Sequence, residues 1–286
     1  PTGMHPWMEA DRAQCWPHGG DSKDQALISL GGKARHGWAN QQGLRVSLPF
    51  AGEASFRETF ACLRFLSPLL PALAAASPFV EGREGPALNC RIAARRDFLD
   101  GPSLMPRAYT SKGAYENELV APGRERIRSL GVKLGPLDLC GHLLLADFDK
   151  QLIHIDVMDA QECLEADLAL CAFTAAGTGW LWHSTSAPRD PWPSPRLGDL
   201  LEVSLVSAEA GIIGDRDYLD IMGYPERGAC RFDELLQYLL EDELATDPAV
   251  SSCQESLAIM RRASLATRML DRLRQDGETF GPEDLF

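Results

Sequence analysis

The sequence predicts an α+β fold: an antiparallel sheet with helices packed on one face, and a helical C-terminal part. Three observations predict it. Short runs alternate strictly between apolar and polar residues, as half-buried strands do. Two extended runs, His142–Phe148 and Gln151–Met158, flank Asp149-Lys150 and read as a hairpin. Between and after the strands lie helical stretches with apolar stripes.

The elements follow in order. Residues 1–43 are rich in Gly, Pro, Trp and His and carry little periodicity. In 43–48, Leu44, Val46 and Leu48 share one face, Arg45 and Ser47 the other, and Pro49 ends the strand. Ser55 with Glu58 three residues on forms a capping-box pattern for a helix striped by Phe56, Phe60 and Leu63. Pro68 suits the first turn of the helix after it. Residues 87–93 alternate again, Leu88, Cys90 and Ile92 against Asn89 and Arg91, and read as a further strand. A charged helix is expected over 115–129. In the second hairpin strand Ile153, Ile155 and Val157 face inward, and His154, Asp156 and Met158 face the other side. A long apolar helix follows over 163–182, then a loop over 184–198 with four prolines. Helices are expected over 200–209, 232–243 and 252–275. The whole, 1–286, reads as one domain: a sheet-containing part over 1–183 and a helical part over 199–286.

Composition narrows the function. Of 286 residues, 28 are Lys or Arg and 41 Asp or Glu, a formal net charge of −13. Phosphate-backbone and anionic-membrane surfaces need clustered cations, so nucleic acid and membrane are not expected partners. No apolar run reaches the roughly 18–20 residues that span a bilayer. The eight cysteines are scattered and never C-x-x-C, which reads as reduced thiols and a cytoplasmic protein. The chain opens at Pro1 inside what looks like a motif, so it is expected to be a fragment.

Strand arithmetic places Arg45, Ser47, Asn89, Arg91, His154 and Asp156 on polar faces of three strands. That face reads either as a concavity whose guanidiniums hold carboxylate or phosphate, or as the solvated side of an open sheet. The sequence has no G-x-S-x-G, G-x-G-x-x-G or G-x-x-x-x-G-K-[ST]. His5, Cys15 and His18 lack the paired spacing of a structural zinc site. A zinc or hydrolytic enzyme using His5, His18 and His36 is a third reading.

Several segments resemble the type-2 glutamate–cysteine ligases, a carboxylate–amine ligase family. They are 1–8 (PTGMHPWM) with Trp16-Pro17-His18, 36–42 (HGWANQQ), Leu48-Pro49-Phe50, 69–78 (LLPALAAASP), 159–163 (DAQEC), 214–219 (GDRDYL) and the helix from Ser256 to Leu270. The resemblance implies a glutamine-synthetase-like catalytic domain with its site on the concave sheet face. It implies that ATP, with Mg2+, phosphorylates a substrate carboxylate and an amine then displaces phosphate, as in γ-glutamyl-cysteine formation for glutathione biosynthesis. Arg91 would hold phosphate or carboxylate, Arg45 substrate charge, and Asp156 metal. His36, Asn40 and Gln42 would form a substrate loop, with Met4, His5 and Trp7 as a wall of the site. Amino acids would be the substrates, and an exposed sheet edge would favour a homodimer.

The chain departs from the family where His-x-Asn becomes Arg45 and Ser47, and where Glu-x-Arg becomes His154 and Asp156. Arg91 and Asp159 are retained. Arg45 would replace the lost cation and Asp156 the lost carboxylate. The alternative is an inactive relative that binds a small anion or a partner subunit.

Overall fold

The computed structural model describes residues 2–9, 12, 40–98, 104–138, 140–184 and 192–276. Strand β1 (Gly43–Pro49) pairs antiparallel with β5 (Leu152–Asp159), which also pairs with β4 (Leu144–Asp147), giving the order β1-β5-β4. β5 is therefore the central strand. Ile153, Ile155 and Val157 are fully buried, as alternation predicts. Phe50, Phe56 and Phe148 close one end of the core, with the Phe56 and Phe148 rings 4.7 Å apart. The β4–β5 turn is longer than the expected two residues, and Gln151 in it has φ +55°.

The helices cover the apolar side. Helix α1 (Gly52–Leu66) packs on α6 (Leu164–His183), and Gly177 of α6 lets Leu66 approach, since a Cβ there would lie 3.1 Å from it. The expected capping box does not form. The helix begins four residues earlier, with Ala51 at its cap and no side-chain cap bond, so Ser55 falls inside the first turns. Next come a 3-10 turn, Ser67–Leu69, and α2 (Leu70–Ala74), all buried. A small ladder of β2 (Phe79–Val80) and β3 (Arg83–Glu84) follows.

The largest correction is at residues 87–93. They do not form a strand. Asn89 makes one parallel bridge with Ser77, then its Oδ1 accepts the Ile92 N–H at 3.2 Å and its C=O accepts from Ala93. Asn89 thus caps helix α3 (Cys90–Phe98). Capping chemistry overrode a three-residue coincidence of alternation, and Arg91 and Arg95 became i, i+4 neighbours on one helix face.

Helix α4 (Lys112–Tyr115) continues through a π turn, Glu116–Val120, into α5 (Ala121–Leu130), ended by Gly131 at φ +65°. The proline-rich loop is shorter than expected. Pro193 and Pro195 begin α7 (Ser194–Ser207), where Pro is compatible with a first turn. The C-terminal part holds α8 (Arg216–Ile221), a two-residue ladder of β6 (Ile212–Ile213) with β7 (Cys230–Arg231), and α9 (Phe232–Tyr238) running into a π turn, Leu239–Glu243. After α10 (Pro248–Ser252), the helix expected over 252–275 is two: α11 (Gln254–Arg262) and α12 (Leu265–Asp276). Ala263 is extended at φ −155°, and Ser264 Oγ accepts the Thr267 N–H to restart the chain.

One buried cation ties the parts together. Arg64 of α1 is 1% exposed and donates to the carbonyls of Pro106 and Trp192, both at 2.9 Å, and to Ser194 Oγ at 3.1 Å. Burial among carbonyls pushes it down to about 10. No helix among the described residues is long and apolar enough to cross a membrane. The described cysteines are free, and burial pushes the Cys62 thiol up to about 12.

Candidate functional site

The polar side chains converge where β1, β5 and α3 meet. Val46 lies opposite Ile155, but Leu44 lies opposite Met158. β5 therefore takes three steps against two on β1, which is a β-bulge. In a regular strand Asp156 and Asp159 would point to opposite faces. With the bulge, both reach Arg91.

Arg91 donates through Nε to Asp159 Oδ1 at 2.6 Å, through Nη1 to Asp156 Oδ1 at 3.2 Å, and through Nη2 to the Met158 carbonyl at 2.7 Å. Its side chain is 4% exposed and Asp159 is wholly buried. Asp159 Oδ2 also accepts the Ala76 N–H at 2.8 Å and the Ser77 hydroxyl at 2.7 Å. Burial opposes the Arg91 charge, but the Asp159 and Asp156 carboxylates overcome it and hold the guanidinium above its usual range. Burial raises the Asp159 carboxyl against the pull of the same guanidinium.

Asp156 lies three residues away in a different setting. Its Oδ2 takes Arg45 at 3.0 Å and Arg95 at 3.2 Å, while Oδ1 takes Arg91. Burial would raise this carboxyl, but Arg91, Arg95 and Arg45 hold it well below the usual carboxylate range. Arg45 is 56% exposed. Beside it, Ser47 Oγ and His154 Nδ1 lie 2.7 Å apart. Burial and the neighbouring Arg45 lower the imidazole pKa. Three guanidiniums against two carboxylates leave 3 − 2 = +1 net charge in this cluster of an acidic protein.

The expected substrate-side residues form a second wall. Segment 2–8 runs beside 40–43. His5 N–H donates to Asn40 O at 2.9 Å, Gln42 N–H to Gly3 O at 2.8 Å, and Met4 bridges Gln41. Met4 and Asn40 are buried, and Gln42 is exposed. His5 Nδ1 accepts the N–H groups of Trp7 and Met8, with the Trp7 ring edge-on at 6.4 Å. This wall closes on the buried pair. A Cβ at Gly3 would lie 2.2 Å from the Asp159 carboxyl carbon, and one at Gly43 would lie 2.5 Å from Arg91 Nη1. His36, with Cys15 and His18 of the zinc reading, lies outside the described residues.

The donor set speaks to a metal. Asp156, the expected ligand, is already engaged by three guanidiniums, and the second carboxylate of the cluster, Asp159, is wholly buried on Arg91, Ser77 and the Ala76 N–H. Among the described residues no three His, Cys, Asp or Glu side chains gather in a way that would hold a metal ion. These residues do not fit a divalent cation. What the cluster can do is receive an anion. An exposed ion pair such as Arg45–Asp156 contributes about 0–1 kcal/mol, so a carboxylate or phosphate can recruit Arg45 at little cost.

Sequence reasoning singled out Arg45, Arg91 and Asp156, which the fold brings together. It missed Arg95, Gly3 and Gly43. The signal for Arg95 was its i+4 spacing from Arg91, hidden by reading a strand.

Comparison with known proteins gives two findings. The family model described as "Glutamate-cysteine ligase family 2(GCS2)" matches residues 2–216. A protein of Archaeoglobus fulgidus, described as an uncharacterized protein, is 29% identical over 178 residues, 61% of this chain. The chain spans 49% of that relative's length.

Proposed function

The chain belongs to glutamate–cysteine ligase family 2, and on that premise we propose that the protein is an ATP-dependent carboxylate–amine ligase. Ligases of this family use ATP and Mg2+. In our reading the acid is an amino acid, with γ-glutamyl-cysteine formation as the type reaction, and the protein works in the cytoplasm. The observation that carries the proposal is the net-positive arginine cluster with an exposed member, Arg45, on the polar face of the sheet.

The chain's own residues take defined parts. Arg45 swings from Asp156 onto the substrate carboxylate or a phosphate oxygen and neutralises charge there. Arg91 and Arg95 hold Asp156 as the resident counter-ion that keeps the site ordered when empty. Ser47 and His154 supply neutral polar contacts beside it. The exposed His5 and Gln42 and the half-buried Trp7 wall the substrate, with Met4 and Asn40 buried behind them. No step is assigned to a cation, because the described residues do not fit one.

A second reading is favoured by that misfit: a relative without ligase turnover that binds a small anion or a partner subunit. One assay separates the two. Incubation with ATP, Mg2+, glutamate and hydroxylamine traps an acyl phosphate as a hydroxamate. Hydroxamate formation that depends on ATP and is lost in Arg45→Gln supports the ligase. Its absence from a protein that still binds ATP assigns the second reading.

A further inference from the structure

A pit opens in the helical C-terminal part, between the π turn Leu239–Glu243, α10 and α11. Leu240, Val250 and Leu257, all buried, form its apolar floor. Its volume is about 40 Å³, room for about three water molecules or one short aliphatic side chain. Glu241, Gln254 and Arg261 stand around the rim. Leu240 and Glu241 both come from the π turn, and π turns inside helices are frequent at functional sites.

One neutral side chain holds the two rim charges apart. Arg261 Nη1 donates to Gln237 Oε1 at 3.2 Å, and Gln237 Nε2 donates to Glu241 Oε2 at 3.0 Å. Gln237 and Glu241 are i, i+4 neighbours, and Arg261 reaches Gln237 from the end of α11. Among the described residues the side chains of Arg261 and Glu241 make no other hydrogen bond or ion pair. Each charge therefore has only an amide for a partner.

That amide shows what the rim selects. Its oxygen meets a cation and its NH2 group meets an anion. The head group of a free amino acid has the same polarity with full charges, a carboxylate beside an ammonium. Hydrogen bonds between ionised groups are about twice as strong as neutral ones, so a zwitterion displaces the Gln237 amide from both partners. Its side chain, carried on the carbon between the two charges, then has the apolar floor beneath it. A lone anion or a lone cation would satisfy one rim group and leave the other with its amide.

We propose that this pit binds a free amino acid with a short branched aliphatic side chain, the size of valine. Its carboxylate lies on Arg261, its ammonium on Glu241 and its methyl groups on Leu240, Val250 and Leu257. The pit shares no residue with the Arg45–Asp156 cluster, so the proposal does not depend on the ligase reading.

Saturation-transfer NMR of L-valine with the protein, titrated to about 10 mM around a dissociation constant near 1 mM, tests it. The expected result is transfer strongest at the valine methyls. Arg261→Gln and Glu241→Gln should each weaken binding about tenfold, with circular dichroism unchanged. Ala258→Leu, which fills the pit from α11, should abolish it. Isovalerate and isobutylamine, each carrying one of the two charges, should bind about tenfold more weakly than valine. No transfer to valine would overturn the proposal. So would isovalerate binding as well as valine, or valine binding indifferent to both rim substitutions and to Ala258→Leu.

Discussion

Asp156 and Asp159 lie three residues apart on one strand and share one arginine, yet they do different work. Asp159 is wholly buried and accepts from Arg91, Ser77 and the Ala76 backbone, with segment 2–8 closed over it. Asp156 is 19% exposed and holds three guanidiniums, one of them reaching into solvent. The first arrangement has no room for a ligand. The second can exchange a partner. Depth alone separates a carboxylate that fastens the sheet to helix α3 from one that keeps cations ready for an anion.

Four substitutions sharpen that contrast, in falling order of effect on stability. Asp159→Asn leaves the buried Arg91 with Asp156 as its one remaining carboxylate and should cost about 3 kcal/mol, read by urea unfolding. A loss under 1 kcal/mol would erase the distinction. Asp156→Asn leaves three guanidiniums facing one another and should cost about 2 kcal/mol. It also has a pH signature. The folded carboxyl sits below its usual range, so its contribution is full above the unfolded value of about 3.9 and is lost as pH falls through the folded value. The stability gap between the protein and Asp156→Asn should narrow below about pH 4. Gly43→Ala pushes a methyl at the Arg91 guanidinium, which is tied down, and should cost about 1–2 kcal/mol. Arg45→Gln should cost less than about 1 kcal/mol, with its effect on ligand affinity instead.

Much of this was legible from residues alone. β1 and β5 declared themselves by period, β4 as the other arm of a hairpin and α6 by its long apolar run, and Arg45, Ser47, His154 and Asp156 do meet on one face. Two features were not legible. Leu88, Cys90 and Ile92 alternate, but Asn89 is a strong cap, and short alternation could not outweigh it. That misreading put Arg91 on an open face when it lies buried in the first turn of a helix, and it hid Arg95. The β5 bulge leaves no mark in the sequence, because an extra residue in a strand is defined by its partner. Without it Asp159 could not be seen to share Arg91 with Asp156. Gly3 and Gly43 were likewise only two of 25 glycines until the close approach of Asp159 and Arg91 gave them a reason.

The central claim is that the exposed arginine binds an anion while the buried pair holds the fold. Calorimetric titration of ATP with Mg2+ into the protein and into Arg45→Gln, alongside the melting temperature of each, tests it directly. The account predicts binding that weakens at least about tenfold in the variant, with melting nearly unchanged. Equal affinity in the two proteins would contradict it.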